Sequence, residues 1–121
     1  DLVYAVSHEK LVQYNPEYYP VALAELAKMY QPLMIWVAAS FEGAEVAPSV
    51  AGKLKTGLAA HCVDIYYGEK GEMVHLVPAF GGKVLSEILI PNSRPMMASV
   101  KPGIFNKGEI AVCVFNKNLC R

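Results

Sequence analysis

The sequence predicts an α/β fold, with a parallel sheet and helices first and mostly antiparallel strands after. Three observations predict it. Residues 33–39 (LMIWVAA) are a continuous apolar run with no alternation, as in a strand covered on both faces. The stretches on either side of that run carry apolar residues at helical spacing. Beyond Thr56-Gly57 the pattern changes to short strand-like segments separated by Gly, Pro and Asn turns. The 121 residues suit a single domain, with no internal repeat and no low-complexity tract. Hydrophobic residues are 54% and charged residues 18%, so the chain can bury a core and is not intrinsically disordered.

Taken in order, Leu2-Val3-Tyr4-Ala5-Val6 reads as a buried first strand. A chain that opens inside its own sheet is expected to be a piece of a longer product. Asn15-Pro16-Glu17 is a helix start, with Asn as cap, Pro at the first helical position and Glu favoured by the dipole. Pro20 lacks an N–H and can delay the regular helix to that position. Leu23, Leu26, Ala27 and Tyr30 form the apolar stripe, and Gln31-Pro32 stops the helix. The run 33–39 is expected as a central parallel strand. Ser40-Phe41-Glu42-Gly43 reads as a short turn before a helix from about Ala44 to Leu54. Val46, Ala47, Val50, Ala51 and Leu54 share a face of that helix, with Pro48 in or near its first turn. Residues 59–67, 73–77, 83–90, 95–101 and 109–115 read as strands. Gly68-Glu69-Lys70-Gly71 is a hairpin turn, Gly81-Gly82 allows unusual backbone angles, and Pro91-Asn92-Ser93-Arg94-Pro95 is a turn between strands.

Composition narrows the function. Eleven basic residues balance eleven acidic ones, so no basic excess exists to neutralise phosphates and nucleic acid is not an expected partner. No apolar run reaches the roughly 18 residues of a membrane span, and no membrane insertion is expected. Cys62, Cys113 and Cys120 are odd in number and scattered, unlike a disulfide framework, which points to reduced thiols and a cytoplasmic setting.

Several residues could carry chemistry. A helix N-terminus beyond the carboxyl end of a parallel strand can hold a phosphate, which singles out Ser40 to Gly43. Glu42 and Glu45 sit where the anion would go, and no G-x-G-x-x-G or P-loop pattern is present. His61, Cys62, His75, Cys113 and Cys120 lack metal-ligand spacing, and His61 and Cys62 face opposite sides of a strand, so no metal is expected. No Cys or His sits at a turn that would expose a nucleophile. Asp64 with Glu69 or Glu72 is explained as exposed hairpin charge. Tyr14, Tyr18, Tyr19 and Tyr30 could form an aromatic patch, with helix-to-sheet packing the simpler use. The segment 91–105 (PNSRPMMASVKPGIF) differs: Arg94 and Lys101 flank a short apolar strand containing Met96, Met97 and Val100. It reads either as a hairpin with solvated ends or as a rigid platform presenting the two cations to an acidic partner or anionic cofactor.

This segment resembles the signature near the end of the N-terminal domain of the electron transfer flavoprotein alpha subunit, C-P-N-x-R-P-Q-M-A-T-V-R-P-G. Pro91, Asn92, Arg94, Pro95, Met97, Ala98, Val100, Pro102 and Gly103 match in register, and Ser99 and Lys101 are close substitutes. Pro78-Ala79-Phe80-Gly81-Gly82 matches T-R-P-A-F-G-G. Lys55-Thr56-Gly57-Leu58 and Cys62 match K-T-G-L-T-A-D-C, and Ala47-Pro48 with the helix to Leu54 matches L-A-P-R-V-A-A-R-L.

The resemblance implies a Rossmann-like, adenine nucleotide alpha hydrolase-like sheet. It implies that residues 1–121 are one domain, the latter part of the alpha N-terminal domain, without the first βαβ portion and without the C-terminal FAD domain. FAD is then expected in the full-length protein and not in this chain. The implied partners are a beta-type subunit and, through the complex, acyl-CoA or other dehydrogenases. The implied place is the cytoplasm, or the mitochondrial matrix in a eukaryote. On this reading the domain does no bond chemistry, its cofactor-binding residues are unassigned, and Arg94 and Lys101 are interface or backbone-bracing cations. Two other readings stand beside it: an adenine-nucleotide-binding module using the Ser40–Gly43 crevice, and a Cys/His enzyme. The sequence departs from the family pattern at four places. Ala44 stands for Arg or Lys, Ser49 and Val77 for Arg, and His61 for Asp. Val or Ala cannot replace an Arg contact, which marks a divergent member with an altered partner or flavin surface.

Overall fold

Asn15 starts the first helix with its side chain, which accepts hydrogen bonds from the backbone N–H groups of Glu17 (2.8 Å) and Tyr18 (3.3 Å). The computed structural model describes residues 2–106. Its elements are a 3-10 turn (Glu9–Leu11), α1 (Tyr18–Tyr30), β1 (Met34–Ala38), α2 (Phe41–Leu54), β2 (Leu58–Cys62), β3 (Asp64–Tyr67), β4 (Met73–Ala79), a 3-10 turn (Phe80–Gly82), β5 (Val84–Leu89) and β6 (Met96–Val100). Pro20 falls in the first turn of α1, where its missing N–H costs nothing. Gln31 ends α1 in the left-handed conformation with its N–H on the Ala27 carbonyl.

The strands form two sheets. One is parallel, in the order β1-β6-β2, and the other antiparallel, in the order β3-β4-β5. The mixed α/β layout is consistent with a Rossmann-like fold. Both helices lie on one face of the parallel sheet, α2 directly on it and α1 against α2. Val46, Val50 and Ala51 of α2 enclose Met97, with Ile35 and Leu58 packed against them. On the opposite face Ala59, Cys62 and Ala98 meet Ile65, Val77 and Ile88 of the antiparallel sheet. Small side chains there let the two sheets approach closely.

Several expectations are corrected. Residues 2–6 are not a strand. Among the described residues they join neither sheet. Tyr4 instead stacks on Tyr30 with ring centroids 4.0 Å apart, while Leu2 and Val3 stay exposed. Among the described residues β1 is an edge strand, and Trp36 on it is 55% exposed. The central place belongs to β6, whose Met96, Met97, Ala98 and Ser99 are all buried. An unbroken apolar run specifies burial without specifying which strand has two neighbours.

The stretch 59–67 is two strands in different sheets. An extra residue on β2 between Ala59 and Cys62 forms a bulge, with His61 at φ 58°, and turns the chain from one sheet into the other. Likewise β6 returns from the antiparallel sheet to pair parallel with β1 and β2. The helix expected from Ala44 starts at Phe41, because the Ser40 hydroxyl accepts the Gly43 N–H (3.2 Å). Pro48 therefore lies inside α2 and not in its first turn. It sits on the exposed face, so water can reach the Ala44 carbonyl that it leaves unpaired. The hairpin at 68–71 forms as expected, closed by the Gly68 N–H on the Glu72 carbonyl (2.8 Å). The expected strand 109–115 lies outside the described residues.

Two substitutions test this packing. A Cβ on Gly43 would overlap the Ala38 carbonyl oxygen and press on Val37. Gly43→Ala should destabilise the fold by roughly 1–3 kcal/mol in urea denaturation. His75 is wholly buried on β4, with Nδ1 3.3 Å from the Ile88 carbonyl and Nε2 without a hydrogen-bond partner among the described residues. Removing that unpaired nitrogen with His75→Leu should raise stability by about 1 kcal/mol in the same assay.

Candidate docking surface

The turn from β5 into β6 must carry the chain from one sheet to the other, which leaves its carbonyls outside both ladders. Arg94 collects them. Its Nη1 donates to the carbonyls of Ser93 (2.7 Å), Ile90 (3.2 Å) and Pro91 (3.5 Å). Thr56 Oγ1 donates to the Pro95 carbonyl (2.7 Å), and the Met96 N–H donates to the Leu33 carbonyl (3.0 Å). Thr56 is itself held by its N–H on the Ala51 carbonyl at the end of α2 (3.0 Å). The Lys55-Thr56-Gly57 and Arg94-Pro95 motifs thus meet in space. Thr56 was not among the residues singled out for the site, although its motif was.

Arg94 is exposed and lies between two cavities. One, of about 690 Å³, is lined by Lys28, Gln31, Leu33 and Leu54 with Arg94 itself. The other, of about 340 Å³, is lined by Met34, Tyr67, Glu72 and Leu89 with Arg94 again. A guanidinium held by several carbonyls beside two hollows has little freedom left to lose on binding. Such residues are the common anchors of protein interfaces.

Lys101 stands at the other end of β6. Its N–H donates to the Cys62 carbonyl (3.0 Å), and beside it the Ala39 N–H donates to the Val100 carbonyl (2.8 Å). Six residues of nearly extended chain lie between it and Arg94, and the seven steps at about 3.3 Å each span roughly 23 Å. The two cations are therefore not one site but the two ends of one rigid strand.

The N-terminus of α2 is filled by the chain's own acceptors. Ser40 Oγ donates to Glu42 Oε2 (3.1 Å), and the Tyr14 hydroxyl donates to Glu45 Oε2 (2.8 Å) and more weakly to the Glu42 carbonyl (3.4 Å). No sequence pattern links Tyr14 to Glu45, and this contact was not foreseen. Tyr19 packs against the cluster of Val46, Val50, Ala51 and Met97 that joins α2 to the sheet, as the helix-to-sheet reading expects. Tyr19 meets Tyr14 edge-on at 5.3 Å and donates to the Leu11 carbonyl, so the aromatics hold residues 4–14 against the helices.

Cys62 is buried, donates to the Ala59 carbonyl (3.3 Å), and has its thiol pushed up by burial, away from nucleophilic use. His61 is exposed on the bulge, with its N–H on Ser99 Oγ (2.9 Å). Among the described residues no three His, Cys, Asp or Glu side chains gather as a metal site. Cys113 and Cys120 lie outside the described residues. Of the positions that depart from the family pattern, Ala44 and His61 are exposed and Ser49 is half-buried, whereas Val77 packs into the layer between the sheets. No described helix is long and apolar enough to cross a membrane.

Comparison with known proteins agrees with the motif reading. The family described as Electron transfer flavoprotein domain matches residues 1–113. The electron transfer flavoprotein subunit alpha of Thermoanaerobacterium thermosaccharolyticum is 40% identical over 107 residues, 88% of this chain and 32% of that protein. Protein FixB of Bradyrhizobium diazoefficiens is 39% identical over 104 residues, 86% of this chain and 28% of that protein. Protein FixB of Clostridium saccharobutylicum is 37% identical over 108 residues, with shares of 88% and 32%. The chain spans about a third of the length of these relatives. It belongs to the electron transfer flavoprotein family.

The Tyr14 contact has a titration signature. Burial, the hydrogen bond to Glu45, and the charges of Glu45 and Glu42 push its hydroxyl from 10.0 up to about 12. The folded state therefore keeps a proton that the unfolded state gives up first. The stability this contributes is complete below pH 10 and is lost as pH rises from 10 through about 12. Absorbance titration should show one tyrosine ionising near pH 12, and Tyr14→Phe should remove that step and flatten the alkaline stability loss.

Proposed function

We propose that this member of the electron transfer flavoprotein family is the structural and partner-docking domain of an alpha-type subunit. It supports electron transfer from dehydrogenases to an acceptor through FAD held by a part of the protein outside this chain. The observation that carries the reading is the Arg94 turn. It bears the family signature in register, fixes its guanidinium on the carbonyls of Ile90, Pro91 and Ser93, and sets it between two hollows. A beta-type subunit docks over this face in the proposal, with Lys101 marking the far limit of the platform. The relatives' greater length leaves room for the flavin-bearing part. The domain does no bond chemistry of its own in this reading, in keeping with the buried, unactivated Cys62.

Intact mass and a visible spectrum of the native gene product test the first half. A product well above the size of 121 residues, yellow with bound flavin, is expected; a colourless product of this size would overturn it. Arg94→Ala tests the second half. It should weaken association with the beta-type subunit about tenfold, a common loss for an anchoring Arg. Unchanged affinity would remove Arg94 from the interface. Melting of the isolated variant separates loss of docking from loss of the turn that Arg94 braces.

A further inference from the structure

The outer face of the antiparallel sheet is not composed like a solvated one. Ile65, Val77 and Ile88 point inward, to the layer shared with the parallel sheet. Alternation therefore turns eight other positions of β3, β4 and β5 outward, from Asp64 to Leu89. Six of the eight are apolar or aromatic, where a sheet face turned to water carries mostly polar side chains. The remaining two are Asp64 and Glu87. They stand in one row of the ladder, opposite Leu76 from either side. The Tyr66 hydroxyl donates to Glu87 Oε1 (2.7 Å), so its side chain reaches from β3 across β4 to β5. The hydrogen bond to Glu87, then burial and the charges of Glu87 and Asp64, push that hydroxyl up. Both carboxylates thus act on one ring. The three strands contain no lysine or arginine. Among the described residues the one ion pair is Lys28 with Glu25, so the outward acid pair has no cation there. Leu85 and Leu89 flank Glu87 along β5 and are half-exposed. Leu89 also lines the smaller hollow beside Arg94, so this face runs on into that surface.

We propose that this face docks an arginine of the partner protein, set among apolar side chains. The guanidinium lies on the Tyr66 ring between Asp64 and Glu87, and its apolar neighbours cover Leu85 and Leu89. Apolar surface alone would accept many partners; the acid pair selects a cation. A planar guanidinium suits the place better than an ammonium, because it stacks on a ring while donating to two carboxylates. A second copy of this chain does not fit, since face-to-face docking would set like charges together. On the alpha-type reading, on which this rests, the partner is the beta-type subunit. Neither Arg94 nor Lys101 takes part.

Carboxyl footprinting of the full-length protein tests the face directly. A carbodiimide with an amine should label Asp64 and Glu87 in the unpaired protein, and the complex with the beta-type subunit should shield both. Asp64→Asn combined with Glu87→Gln should weaken that association about tenfold and lessen its salt dependence, with an unchanged melting curve. The glutamine keeps an acceptor for the Tyr66 hydroxyl. Unchanged affinity of this double variant, or equal labelling with and without the partner, would overturn the inference. Carboxylates already shielded in the unpaired full-length protein would overturn it too, because the chain itself would then cover the face. If Arg94→Ala weakens association and the double variant does not, this inference falls and the docking reading stands. If the unaltered protein does not associate with a beta-type subunit, both fall.

Discussion

The constraint on which the structure depends is the insertion of β6 between β1 and β2. The two earlier strands do not pair with each other. Each is completed only when the chain returns from the antiparallel sheet and lays Met96–Val100 between them. That strand then buries both faces. Met97 enters the cluster under α2, and Ala98 enters the layer shared with the antiparallel sheet. A strand with charged side chains on one face could not take this place. The sequence MMASV can, because its side chains are apolar or small on both sides and the one hydroxyl, on Ser99, accepts the His61 N–H.

The two ends of that strand inherit its rigidity. At the start, the change of sheet frees carbonyls that Arg94 and Thr56 satisfy, so a cation becomes fixed as a by-product of closing the turn. At the finish, the ladder extends one residue on either side through Ala39 and Lys101, and the following Pro102-Gly103 turns the chain away. Backbone accounting thus places both surface features. A side chain rooted in a paired strand needs little further ordering when a partner arrives.

The four departures from the family pattern divide along structural lines. Ala44 and His61 face solvent and are neutral to the core, so their cost falls on whatever the replaced charges would have met. Val77 is different. It packs with Ala59, Cys62 and Ala98, where an apolar side chain adds to the layer and a guanidinium would have to reach past it.

Much of this was legible in the residues. Asn15, Gln31-Pro32 and the spacing of Val46, Val50 and Ala51 carry local signals of caps, stops and helical faces, and these act within a turn or two of chain. Gly68–Gly71 marks its hairpin for the same reason, and the 91–103 signature marked the turn that braces Arg94. The partners of strands were not legible. Residues 2–6, 33–39 and 95–101 read alike as apolar strands, yet one has no partner among the described residues, one lies at an edge and one is central. Nor did anything local foretell that 59–67 would break at His61, or that Tyr14 would reach Glu45 across 31 positions. By itself the sequence determined the two helices, the Gly68–Gly71 hairpin, the balance of charge and the family. The tertiary structure decided which strand is central, which cation sits at which end, and where an open cavity remains. Periodicity and capping are short-range properties of the chain, whereas strand order is settled by competition among distant segments for the same backbone partners.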